Sequence, residues 1–118
     1  MGVYTVNVEV FPARVLLCTD RKRYAKLRAK YTEKYIDLDG CDGISSDFGY
    51  CYLVGVFNGD LDVLVHELAH TTFKILRDVN VPVHVDGNQE AFCYLQGYLF
   101  KKLAPWLSKE SMCIESEN

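Results

Sequence analysis

The chain has 118 residues, of which 49% are hydrophobic, 13% aromatic and 25% charged. That composition excludes disorder and collagen-like repeats for the bulk of the chain, and its length fits one ordinary domain with a buried core. The longest apolar runs, such as residues 50–57, fall far short of the ~20 residues needed to cross a bilayer, and a net charge of −3 argues against a general nucleic-acid binder.

The opening residues 1–10 carry no basic leader, no uninterrupted apolar stretch and no small-residue cleavage site, so no secretion signal is expected. Residues 3–11 then alternate, with Tyr4, Val6, Val8 and Val10 on one side and Thr5, Asn7 and Glu9 on the other. This predicts a half-buried strand, interrupted at Pro12 and followed by a second short strand over residues 14–18. Thr19 or Asp20 caps a predicted helix running to about Tyr35, with Tyr24, Leu27, Tyr31 and Tyr35 as its apolar stripe.

Residues 37–47 are rich in Asp, Gly and Ser and read as a loop. They do not form a calcium loop: counted from Asp37, the glycine and glutamate that an EF-hand needs at positions six and twelve are Asp42 and Phe48. Residues 50–57 form a continuous β-prone run ended by Asn58-Gly59. A second helix is predicted over residues 60–79, then a loop through Pro82 and Gly87. A third helix spans residues 88–103 before Pro105, leaving an acidic, flexible tail over 106–118. The predicted order is β-β-α-β-α-α. The five cysteines, at 18, 41, 51, 93 and 113, are odd in number and contain no Cys-x-x-Cys pair. They read as reduced, partly buried thiols of a cytoplasmic protein rather than a disulfide framework.

The second helix holds His66-Glu67-Leu68-Ala69-His70, the His-Glu-x-x-His pattern. Two imidazoles four residues apart lie on one helical face, where they can grip one metal ion together. The intervening glutamate, one step around the helix, can serve as general base for a water at that ion without being a ligand. The helix's apolar positions, Leu61, Leu64, Val65, Leu68, Thr72, Ile75, Leu76 and Val79, lie on the side opposite the two histidines. The histidines are therefore either exposed or facing a cleft.

In the third helix, Phe92, Leu95, Leu99 and Leu103 form the apolar stripe and Glu90 points away from it, sharing its side with Tyr94, Gly97 and Lys101. Glu90 reads either as a carboxylate favoured by the helix dipole or as a third metal ligand beside His66 and His70. Gly97 at mid-helix costs ~1 kcal/mol relative to Ala, which close approach of a neighbouring element would justify.

His66-Glu67-x-x-His70, followed after nineteen residues by Asn88-Gln89-Glu90-Ala91 within residues 48–103, resembles the gluzincin metallopeptidases. The Glu-Ala-Phe-x-Tyr-Leu cadence after it is also similar to small HExxH proteins encoded by bacteriophages and prophages. The resemblance implies a minimal zincin-like α+β domain over residues 1–105, with a small twisted sheet packed on the motif helix. It implies zinc held by His66, His70 and Glu90, Glu67 as catalytic base, a peptide or protein substrate, and residues 50–57 as the edge strand pairing with substrate backbone. Two departures stand out. The aspartate usual four residues after the glutamate ligand is Tyr94 here, and only fifteen residues follow the third helix, where larger members carry a cleft-closing subdomain. Oxyanion stabilisation is then expected from His84, Tyr94 or Tyr98. His84 also reads as an ordinary loop histidine or as a ligand in place of Glu90.

The first helix region carries Arg21, Lys22, Arg23, Lys26, Arg28, Lys30 and Lys34, seven of the thirteen basic residues. This is either a solvated face or a docking surface over residues 20–35 for an acidic or nucleic-acid partner. The expected function is zinc-dependent peptide-bond hydrolysis; the alternative is a zinc-stabilised binding protein that acts through this basic helix.

Overall fold

The computed structural model describes residues 2–117, with side chains described through Lys109. The fold is α+β: a four-stranded mixed sheet and three helices in the order β1 (Val3–Val8), β2 (Ala13–Cys18), α1 (Arg21–Thr32), β3 (Gly43–Phe48), β4 (Cys51–Val56), α2 (Leu61–Asp78) and α3 (Glu90–Glu117).

The strands lie in the order β1-β2-β4-β3. β1 and β2 form an antiparallel hairpin through the turn at residues 9–12, β2 and β4 run parallel, and β3 pairs antiparallel with β4 from Gly43↔Val56 to Phe48↔Cys51. Side chains on successive strand residues point to opposite faces, and here both faces are covered. Val15, Leu17, Tyr52, Val54 and Val56 pack with Leu64, Leu68, Ile75, Leu76, Leu95, Leu99 and Leu103 of α2 and α3. Cys18, Cys51 and Leu53 pack on the other side with Tyr24 and Ala25 of α1. All six residues of β4 are buried, which explains why its sequence shows no alternation.

Several boundaries differ from the sequence expectation. β1 stops at Val8, and Val10 is exposed in the turn ahead of Pro12. α1 ends at Thr32 because Glu33 takes a left-handed conformation (φ 59°) and its N–H bonds the carbonyl of Ala29, so Tyr35 lies beyond the helix and is exposed. α2 ends in the same way: Asn80 is left-handed (φ 60°), and the Val81 N–H reaches the Leu76 carbonyl.

The largest correction is β3. Residues 43–47 belong to the expected loop and instead, together with Phe48, form the sheet's edge, so the strand order gains a member and the run at 50–57 becomes an interior strand rather than the edge. Ser45, Ser46 and Asp47 are poor strand formers alone. Pairing with the buried β4, and a tight turn in which Gly49 is left-handed (φ 52°), holds them extended.

α3 likewise does not stop at Leu103. It continues through Pro105, because Leu107 is buried and Trp106 stacks on Tyr4 of β1 at 4.7 Å between ring centroids. Tertiary packing on both sides of the proline thus overrides its helix-breaking tendency. The backbone of the expected tail is helical to Glu117, while the side chain of Cys113 lies outside the described residues.

Candidate metal centre

His66 and His70 project from α2 one turn apart, both exposed, with ring centroids 5.0 Å apart and planes at 75°. The side of α2 turned to the interior is shifted from the expected one. Leu61 and Val65 remain about two-fifths exposed, whereas Glu67 and Thr71 are buried beside Leu64, Leu68, Thr72, Ile75 and Leu76. The physical reason is β3, which covers the flank of α2 that the sequence left open.

Glu67 lies against that strand. It is 8% exposed, and a Cβ placed on Gly43 would stand 3.0 Å from its Oε2, 3.1 Å from its Cγ and 2.5 Å from Val63 Cγ1. Only glycine lets β3 approach the helix this closely. The carboxylate oxygens of Glu67 are not among the buried, unpartnered polar atoms of the described residues, and its backbone carbonyl accepts a hydrogen bond from the Thr71 hydroxyl at 3.0 Å.

Further along the same seam, Lys74 Nζ donates to the carbonyl of Ser45 at 3.3 Å and meets its Oγ at 3.1 Å, while also lying 3.5 Å from Asp47 Oδ1. Arg77 then joins Asp47 at 2.7 Å and Asp78 at 2.9 Å, and Tyr52 donates to Asp78 at 2.6 Å. The Arg77 guanidinium beside it holds the Asp78 carboxyl below the ordinary carboxylate range, and the Tyr52 hydrogen bond adds to this against the opposing effect of burial. Burial, reinforced by Asp78, pushes the Tyr52 phenol well above its usual value.

On the opposite flank, α3 packs against α2 through Phe92 on Phe73 (4.4 Å between centroids) and Gln96 Nε2 donating to the Val65 carbonyl at 3.4 Å. His84 lines a cleft of about 300 Å3 on this seam with Phe73, Val83, Val85, Gln89, Phe92 and Cys93. It thus shares a wall with Phe73, which follows His70 by one helical turn. Asn88 donates to the Pro82 carbonyl at 2.7 Å and Gln89 to that of Val85, which ties the loop to the start of α3.

Glu90 opens α3 and is exposed. Tyr94 and Tyr98 face away from α2, into a groove of about 480 Å3 against Val8, Val10 and Phe11 of the β1–β2 turn. Gly97 lines the α2 side with Val65, Leu68 and Cys93, and its position opens onto space rather than onto a closely packed neighbour.

The donor chemistry therefore fits zinc at two positions. Two imidazoles on one helix face are the right ligand type. The complete ligand set is not assembled, since among the described residues no three His, Cys, Asp or Glu side chains form a group able to hold a metal ion.

Sequence reasoning missed Gly43, Ser45 and Asp47, the β3 residues that meet α2. The one signal available was the alternation of Ile44, Ser46 and Phe48 just before Gly49. Comparison with known protein families, curated proteins and solved structures returned no match.

Proposed function

We propose that this protein is a zinc-dependent peptide hydrolase in which His66 and His70 hold the ion, Glu90 completes the ligand set on metal loading, and Glu67 is the general base. The observation that carries the reading is the position of Glu67, directly after a metal-type histidine and against the edge strand at Gly43, in a residue only 8% exposed whose carboxylate oxygens are not among the buried, unpartnered polar atoms of the described residues. A carboxylate beside a metal-type histidine pair is placed to act as general base for a water there. The bare Cα of Gly43 is the accommodation that lets it lie there.

Zinc, when bound, supplies a Lewis acid that polarises a carbonyl and lowers the pKa of water. The protein's own residues supply the rest. Glu67 takes a proton from the attacking water and delivers it to the departing amine as the carbon–nitrogen bond breaks, leaving a carboxylate and a free amine. β3 is the edge strand beside Glu67, and it replaces β4 as the candidate edge for an extended peptide. His84, at the wall shared with Phe73, is the candidate for stabilising the oxyanion; Tyr94 and Tyr98 lie on the far side of α3 and are less suited. The free thiols Cys18, Cys41, Cys51 and Cys93 accord with a reducing, cytoplasmic setting.

The test is hydrolysis of a quenched-fluorescent peptide library by zinc-loaded protein beside its Glu67→Gln variant. The variant should retain zinc and lose ~10²–10⁴-fold in rate. Equal rates in the two proteins would end the proposal.

A further inference from the structure

α1 reads Arg-Lys-Arg-Tyr-Ala-Lys-Leu-Arg-Ala-Lys-Tyr-Thr and contains no acidic residue. It holds six of the chain's thirteen Lys and Arg, while the remaining seven face sixteen Asp and Glu. Positive charge is thus concentrated on one helix of an otherwise acidic protein. Its first turn places Arg21, Lys22 and Arg23 at the positive end of the helix dipole, where cations are disfavoured.

The buried and half-buried positions divide these cations into two groups. Tyr24 and Ala25 face the sheet; Arg21 is engaged with the Cys41 carbonyl at 3.0 Å and Asp42 at 3.8 Å, and Arg28 is half-buried. Lys22, Arg23, Lys26 and Lys30 are exposed, and among the described residues none of them takes part in an ion pair. At ~100° per residue these four occupy a single stripe about 100° wide, and Lys22, Lys26 and Lys30 repeat with a rise of ~6 Å per step. Lys34, exposed just past the helix end, extends the charge.

We propose that this stripe is a docking surface for the phosphodiester backbone of a nucleic acid, bound without reading the bases. A regular row of point-charge ammonium groups matches a regular row of phosphates. The stripe contains no apolar or aromatic anchor of the kind that dominates protein–protein interfaces, which favours the polyanion over an acidic protein partner. The surface is independent of the metal centre, because α1 covers one face of the sheet while α2 and α3 cover the other.

The experiment is fluorescence anisotropy of a labelled 20-base-pair duplex and a labelled 20-nucleotide single strand, each titrated with the full chain, with polyglutamate of matched charge as comparison. Binding to either nucleic acid in the range of ~1–100 µM at low salt is expected, with log K falling against log salt at a slope of about −3 for the duplex and shallower for the single strand. The combined Lys22→Gln, Lys26→Gln and Lys30→Gln variant should weaken binding at least tenfold while its circular dichroism and melting midpoint stay unchanged. Should that variant unfold, the single Lys26→Gln protein is used, and the slope should fall by about one. No binding below about 100 µM, unchanged binding in a folded variant, or tighter binding to polyglutamate would each overturn the proposal.

Discussion

The Cα of Gly43 on the edge strand and the carboxylate of Glu67 on the motif helix are in direct apposition: a methyl group added to the first would lie 3.0 Å from Oε2 of the second. The strand and the helix are therefore spaced for a glycine at this one point. Gly43→Ala should shift Val63 and Glu67 together, at a cost of ~1–3 kcal/mol from overpacking. It should lower any hydrolytic rate more than it lowers zinc content, since Val63 and Glu67, and neither histidine, are the side chains that a Cβ at Gly43 would meet. Urea unfolding with parallel metal analysis checks this; an alanine variant with unchanged stability and rate would show that the close approach has no consequence.

The histidine pair makes a separate prediction. His66→Ala and His70→Ala should each reduce zinc affinity by roughly tenfold or more, as expected for loss of a ligand when outer-shell changes alone reach that size. His84→Ala should leave affinity near that of the parent protein if His84 serves the oxyanion. Competition titration with a chromogenic chelator reads all three, and an affinity loss confined to His84→Ala would transfer the site to the α2–α3 cleft.

The Tyr52–Asp78–Arg77–Asp47 network makes stability depend on acid. Asp78 has its folded-state pKa lowered, chiefly by Arg77. Its contribution is therefore present above the ordinary carboxylate range and is lost as pH falls through the depressed value. Asp78→Asn should flatten the acid limb of the urea midpoint against pH and leave the slope near neutrality alone. An acid limb identical to that of the parent protein would remove Asp78 from the account.

Pro105 lies inside α3 and is flanked by buried Leu103 and Leu107. Proline in a helix interior is disfavoured by ~3 kcal/mol relative to alanine. Pro105→Ala should therefore stabilise the protein by ~1–3 kcal/mol, and Leu107→Ala should destabilise it by ~2–5 kcal/mol. Thermal or urea midpoints check both, and a fall in the Pro105→Ala midpoint would mean that the proline helps hold Trp106 against Tyr4.

The elements legible from sequence are those in which local pattern and tertiary role agree. The alternation of β1, a cap at Thr19 or Asp20 ahead of α1 (it is Asp20, whose carboxylate accepts from the Lys22 N–H), the apolar run of β4 and the amphipathic α2 are all readable from the sequence. β3 was not, because Gly43, Ser45, Ser46 and Asp47 have turn-like propensities and are made a strand by a partner that sits beyond them in the chain. The extension of α3 was hidden for the opposite reason, since a strong local stop signal at Pro105 loses to the packing of Trp106 and Leu107. At the site, the spacing of His66 and His70 was legible. The burial of Glu67 was not, because it depends on the unforeseen edge strand.

The most direct test of the central claim is a crystal structure of the zinc-loaded protein, with anomalous scattering locating the ion. The account predicts one zinc bound by imidazole nitrogens of His66 and His70 and by Glu90, with the Glu67 carboxylate outside the ligand set and within hydrogen-bond reach of the ion's remaining position. Zinc absent from the two histidines, or present there with Glu67 as a ligand, would contradict it.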